Sequence, residues 1–341
     1  MPAEIRPVPS RPAGELKQSW SYEELVSQLG PQIRPGALLQ RYTTAHVGGP
    51  ATALWEVSTR DELAAACGSL WQKGIPFVVF GNGSNLLISD RGFDGVVVLN
   101  RTSIIIVNRD ADPPSVWAES GASLAAMAHQ VAAQGLAGLE WAGAIPGTVG
   151  GAVYGNAGAY GGDVARSLLR ANLLLRGGQR EMWTVEHFSY AYRSSVLKRG
   201  TRQAVILDAE FRLQKANRDE VMCRLHEISE QRKATQPPGA SLGSMFKNPP
   251  GDSAGRLIEQ AGLKGTRIGG AEISPVHANF IVNDAQATAS DIYRLLHLAQ
   301  QTVAEKFHVW LEPEIEIIGD WSGEPPLTQP SAESFDEEGR A

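Results

Sequence analysis

Ala142-Gly-Ala-Ile-Pro-Gly-Thr-Val-Gly-Gly-Ala-Val-Tyr-Gly-Asn-Ala-Gly-Ala-Tyr-Gly161 contains seven glycines in twenty residues and no charge. The uncharged stretch runs from Trp141 to Gly162. Its glycines, with Pro146 and Asn156, make it loop chemistry and exclude a membrane helix. So little side-chain volume lets the main chain come into contact with a flat or extended ligand; the alternative is a tightly packed series of turns.

A second glycine turn lies upstream, Phe80-Gly-Asn-Gly-Ser-Asn-Leu-Leu-Ile-Ser-Asp90, fed by the apolar strand Ile75–Phe80. Such a turn can aim several backbone N–H groups at one anion, or be an ordinary turn. Leu86 stands where a Rossmann fingerprint needs its third glycine, and no GxxxxGK[ST] occurs.

Regular elements flank these turns. Ser21-Tyr-Glu-Glu24 and Thr59-Arg-Asp-Glu62 are capping boxes opening helices; the second buries Leu63, Cys67 and Leu70 and stops at Gly74. Short strands are expected at 96–99, 104–107 and 116–118, a helix from Ser123 to Ala133, and strands at 168–175, 181–184 and 204–213. The period then changes to helical, with helices over 218–232, 253–261 and 291–307, and strands at 279–283 and 310–318.

Three further motifs carry polar residues. In Tyr190-Ala-Tyr-Arg-Ser-Ser195, Arg193 is either a surface arginine or a fixed cation for an anion. Gly243-Ser-Met-Phe-Lys-Asn-Pro249 has no GxSxG elbow, so Ser244 is a turn residue or a proton donor, not a nucleophile. In Leu311-Glu-Pro-Glu-Ile-Glu-Ile-Ile-Gly319, alternation places Glu312, Glu314 and Glu316 on one strand face, either solvated or supplying a carboxylate to a site.

The chain has 341 residues, a net charge of -6 and 20% charged residues. Much of the negative excess lies after Gly319, where six acids face one base, Arg340. No basic surplus draws the chain to nucleic acid or an anionic membrane. Two cysteines without a CxxC, and histidines without ligand spacing, argue against disulfides and metal. The Pro-rich start has no secretory core segment, so a soluble cytoplasmic protein is expected.

Taken in order, Arg41-Tyr-Thr-Thr-Ala-His-Val-Gly-Gly-Pro50, the GNGSNLLISD turn, IPGTVGGAVYGNAGAYG, AYRSS, GSMFKNP and LEPEIEIIG resemble the UDP-N-acetylenolpyruvoylglucosamine reductase (MurB) family over about residues 38–319. The resemblance implies an α+β protein: a two-part FAD-binding fold of the vanillyl-alcohol-oxidase (PCMH) type plus a C-terminal α/β substrate domain. The expected division is a flexible arm over 1–19, FAD-binding subdomains over 20–103 and 104–215, a substrate-binding domain over 216–319 and an acidic disordered tail over 320–341.

It also implies FAD and NADPH as cofactors, a small-molecule UDP-sugar substrate, no nucleic-acid or membrane partner, a monomer and no metal. NADPH would reduce FAD and leave. Flavin N5 would then give hydride to the enolpyruvyl methylene of the UDP-sugar, yielding UDP-N-acetylmuramate for peptidoglycan synthesis. Carried over by motif, Arg193 and Glu314 stabilise the enolate and Ser244 delivers the proton. Gly81, Asn82, Gly83, Ser84, Asn85 and Leu86 would hold the cofactor. So would Ile145, Gly147, Thr148, Gly150 and Gly151, with Asn156, Ala157 and Gly158. Tyr192, Lys247 and Asn248 would meet the substrate. The short interval from Arg193 to Ser244 resembles the subclass without an inserted segment. Thr235 stands where relatives often carry Lys before Gln236-Pro237, with Lys233 two residues earlier, so the cation for the substrate phosphates stays open. Another flavin oxidase of this fold, or a non-catalytic nucleotide-binding module, are the alternatives. His277 is either structural or a substrate contact.

Overall fold

The structure is a computed structural model that describes residues 19–327; most of the expected arm and the tail beyond 327 lie outside the described residues. Three sheets of four or five strands organise the described residues. The first has the order Arg34–Pro35, Ala51–Val57, Phe93–Asn100, Phe77–Phe80, with its last three strands parallel. Helix Arg60–Gln72 covers it. Thr59 and Glu62 form the expected capping box, worth about 1 kcal/mol. Leu63, Ala66, Cys67 and Leu70 then fall on one buried face at helical spacing. Burial pushes the Cys67 thiol up to about 12, so it stays protonated.

The second sheet is antiparallel, ordered Arg180–Trp183, Leu168–Leu175, Ala204–Arg212, Ser115–Glu119, Ile105–Asn108. Buried Asp208 joins it to the first domain. It accepts from Arg60 at 3.1 Å, the Trp117 indole at 2.9 Å and the Asn172 amide at 2.7 Å. A buried carboxylate is tolerable only with its lone pairs occupied in this way. Leu174, Val205 and Leu207 of the second sheet extend the core beneath helix Arg60–Gln72.

The third sheet, Ala240–Ser241, Ile281–Asn283, Ala271–Ile273, Arg267–Ile268, packs with helices Ala254–Gln260 and Ala289–Phe307. Asp90, at the end of the glycine turn in the first domain, accepts from the N–H groups of Ala289 and Ser290 at 2.8 Å each. That places a carboxylate on the positive end of the long helix and locks the third domain to the first. The last strand among the described residues, Glu316–Ile318, returns to pair in parallel with Leu86–Ile88.

Four expectations are corrected. The glycine run is not all loop: Thr148 caps a helix over Val149–Gly155, which ends on left-handed Asn156. Gly150 serves close packing, since a Cβ there would lie 2.9 Å from the Ser120 side chain. Helix Arg218–Thr235, assigned to the substrate domain, sits against the second domain instead, with Val221 and Leu225 packed on Ala132. The closing strand shortens from 310–318 to Glu316–Ile318, because upstream of it the chain changes partner, Pro313 making an isolated antiparallel bridge with Phe246. The tail is not loose from residue 320. Trp321 stacks on Tyr293 at 4.4 Å, Leu327 is buried, and Glu324 takes two bonds from Arg294 at 2.9 Å each.

Candidate active site

Arg193 occupies a tight turn closed by reciprocal bonds between Ala191 and Ser194, each 3.1 Å. Its φ of 52° is left-handed, a conformation that a side chain adopts only when its surroundings impose it. The glycine-rich helix imposes it. The Asn156 amide donates to Ala191 O at 3.0 Å, Ser195 Oγ to Tyr154 O at 2.6 Å, and Tyr190 OH to Val153 O at 2.7 Å. The Arg193 Nε then donates to Glu314 Oε1 at 2.6 Å, while a terminal nitrogen reaches Gly158 O. Both side chains are about one-fifth exposed. Tyr192, itself exposed, lays its ring 5.2 Å from the Arg193 guanidinium carbon.

Glu314 is placed by its main chain. Its N–H donates to Met245 O at 2.8 Å, and Lys247 N–H donates to Glu312 O at 2.9 Å. Its carbonyl accepts from the Asn85 amide at 3.3 Å and from Lys198 Nζ at 2.7 Å. The three glutamates do not share one solvated face. Glu312 pairs with Lys247, Glu314 with Arg193, and Glu316 with Lys198 at 2.9 Å. Ser244 directly precedes Met245, whose carbonyl accepts from Glu314 N–H. Ser244 is half-buried, and its hydroxyl makes no protein hydrogen bond among the described residues. A hydroxyl left without a partner is free to donate to a ligand.

Beside it opens a cavity of about 490 Å³, whose wall includes Ser84, Pro146, Arg232, Lys233, Ser241 and Gly243. The two glycine turns meet there: Ser84 Oγ donates to Pro146 O at 3.3 Å. The N–H groups of Asn82, Gly83, Ser84 and Gly147 make no hydrogen bond within the described protein. Gly83 is left-handed, and a Cβ there would lie 1.9 Å from Tyr42 O. Unbonded N–H groups on side-chain-poor backbone suit a pyrophosphate, as a dinucleotide cofactor requires. Burial lowers the Arg232 pKa, with Tyr160 opposing, and no carboxylate pairs with that guanidinium among the described residues.

The structure thus brings Arg193 and Glu314 into contact, with Ser244 on the adjoining segment. It sets Lys247 against Glu312 and turns Asn248 Oδ1 to the N–H of Ala254 at 3.1 Å; neither lines this cavity, nor do Arg193, Ser244 and Glu314, and Arg193 lines a second cavity with Asn156, Asp163, Tyr190 and Tyr192. Asn156, Ala157 and Gly158 support the Arg193 turn: the Ala157 carbonyl receives Val164 N–H at 3.0 Å and Gly158 O receives Arg193. His277 is occupied locally, its Nδ1 accepting from Asn279 N–H at 3.2 Å. Sequence reasoning missed Lys198 and Arg232. No spacing signals either, because each reaches the site from an element remote from its partners in sequence.

Residues 51–181, spanning parts of the first two sheets, match the family model described as FAD binding domain. With the glycine-turn cradle, this defines a flavin-binding oxidoreductase fold closed by a third domain. Residues 234–318 match the UDP-N-acetylenolpyruvoylglucosamine reductase C-terminal domain. The chain is 47% identical over 289 residues to the UDP-N-acetylenolpyruvoylglucosamine reductase of Chloroflexus aggregans, covering 84% of this chain and 97% of that one. Against the Rubrobacter xylanophilus reductase it is 41% identical over 299 residues, covering 88% and 99%. The crystal structure of the Thermus caldophilus enzyme superposes with a TM-score of 0.72 at 38% identity, covering 84% of this chain and all of that one. The chain belongs to the UDP-N-acetylenolpyruvoylglucosamine reductase (MurB) family.

Proposed function

We propose that this protein reduces UDP-N-acetyl-3-O-(1-carboxyvinyl)-glucosamine to UDP-N-acetylmuramate at the expense of NADPH, as a cytoplasmic monomer supplying peptidoglycan synthesis. The observation that carries the reading is the Arg193–Glu314 contact at 2.6 Å, built by the glycine run and flanked by a hydroxyl without a protein partner. Bound FAD supplies the hydride. The protein's own residues manage the charge that this addition creates. Hydride reaching the methylene carbon leaves an electron pair on the adjacent, carboxylate-bearing carbon. The Arg193 guanidinium stabilises that enolate, and Glu314 fixes the guanidinium's orientation. The Ser244 proton passes to the carbon, and the hydroxyl recovers it from solvent.

The glycine turns 81–86 and 145–151 hold the cofactor through main-chain N–H groups. Arg232 and Lys233, which line the cavity, take the place left by Thr235 as the cations for the substrate's diphosphate. Lys233 already pairs with Glu230 at 2.8 Å, which leaves Arg232 as the stronger claimant. Tyr192 lies exposed over Arg193, where it can close on bound sugar. The test is anaerobic: NADPH bleaches the flavin, and the enolpyruvyl UDP-sugar restores it. A reduced flavin that the sugar leaves unchanged contradicts the proposal.

A further inference from the structure

Lys198 has none of the features by which the other site residues stand out. It lies in Val196-Leu-Lys-Arg199, after the Arg193 turn, and its side chain is only 13% exposed. Its ammonium nevertheless makes two contacts that bear on the site. It donates to the main-chain carbonyl of Glu314 at 2.7 Å and lies 2.9 Å from the Glu316 carboxylate. Its own N–H is fixed by Ser195 Oγ at 3.1 Å, and that hydroxyl is fixed in turn by Tyr154 O at 2.6 Å. The Lys198 backbone is therefore anchored to the same glycine-rich helix end that shapes the Arg193 turn.

We infer that Lys198 is the positioning residue for Glu314, holding the 314 peptide so that its carboxylate meets Arg193. The reasoning rests on the register of the segment. Pro313 makes only an isolated antiparallel bridge with Phe246, and the parallel strand begins at Glu316. Glu314 is kept in place by three bonds, to Met245 O, the Asn85 amide and Lys198. The Lys198 bond is shorter than the Asn85 bond and charge-assisted, hence the stronger of the two on that carbonyl. Lys198 also supplies the cation for Glu316. Without it a second carboxylate would stand uncompensated close to where substrate charge develops. Arg193–Glu314 and Lys198–Glu316 together make a site with two cations and two anions, neutral before the enolate forms.

This inference builds on the proposed reaction, and the experiment separates the two. Lys198→Met keeps the side-chain length and removes the charge; Lys198→Arg keeps the charge. In stopped flow, K198M is expected to bleach with NADPH within about twofold of the native rate. Reoxidation by the enolpyruvyl UDP-sugar should fall about 10- to 100-fold, with K198R recovering most of that loss. A crystal structure of K198M, which needs no activity, should show Glu314 Oε1 out of hydrogen-bond reach of Arg193 Nε. Native reoxidation in K198M, or equal loss in both half-reactions without recovery in K198R, overturns the inference. So does Glu314 unmoved in the K198M crystal. If the native flavin is not reoxidised by the sugar, the proposed reaction fails, and the crystal alone decides whether Lys198 positions Glu314.

Discussion

Replacing Ser244 by alanine isolates the proposed proton-delivery step. The Ser244 hydroxyl has no hydrogen-bond partner among the described residues, and the next residue, Met245, is held by its own backbone, bonded to Asn279 O and Glu314 N–H. Removing it leaves no buried group unpaired, so unfolding free energy should change by about 0.5 kcal/mol or less, a melting shift of about 2 °C at most. A positioned general acid contributes about 10²- to 10⁴-fold, equivalent to about 3–5 kcal/mol of barrier. The assay is anaerobic stopped flow at the flavin absorbance band, run as two half-reactions. Ser244→Ala should bleach with NADPH at the native rate, then reoxidise with the enolpyruvyl UDP-sugar at least a hundredfold slower. Equal slowing of both halves would refute the proton-donor role, and so would unimpaired reoxidation.

Arg232→Gln should raise the KM for the nucleotide sugar about tenfold or more while leaving NADPH bleaching intact, checked by steady-state and half-reaction kinetics. Gly83→Ala demands a Cβ 1.9 Å from Tyr42 O at a φ of 61°, so the turn must shift; flavin content per chain after purification should fall well below that of the native protein. Burial, and secondarily Lys264, lowers the His277 pKa below its ordinary value, and the ring accepts a backbone N–H through Nδ1. The unfolded chain therefore takes up that proton first, so His277 contributes stability above its unfolded pKa and loses it as pH falls through the lower folded value. Urea midpoints should drop as pH falls below about 6.5 in the native protein and drop less in His277→Gln.

The legible parts of the fold were those written in local chemistry. The capping boxes at Ser21 and Thr59 formed as spaced, and helices at 22–29, 60–72 and 289–307 follow apolar periodicity. Strand Ala51–Val57 went unread because Ala51-Thr-Ala-Leu-Trp-Glu-Val57 does not alternate: it lies between strands in the first sheet, and the inward pattern is smeared over both faces. The helix inside the glycine run was hidden by composition, since glycine penalises an isolated helix but lets this one press against Ser120. Arg193, Ser244 and Glu314 were reached through motif order. Lys198 and Arg232 were not, because what distinguishes them is burial and the partners they have or lack.

The most direct test of the account is an anaerobic two-step titration of the purified full chain. One equivalent of bound flavin, bleached by NADPH and returned to its oxidised spectrum by stoichiometric enolpyruvyl UDP-sugar with UDP-N-acetylmuramate formed, is the predicted result. A colourless protein that takes up no added FAD, or a bleached one that the sugar cannot reoxidise, would contradict it.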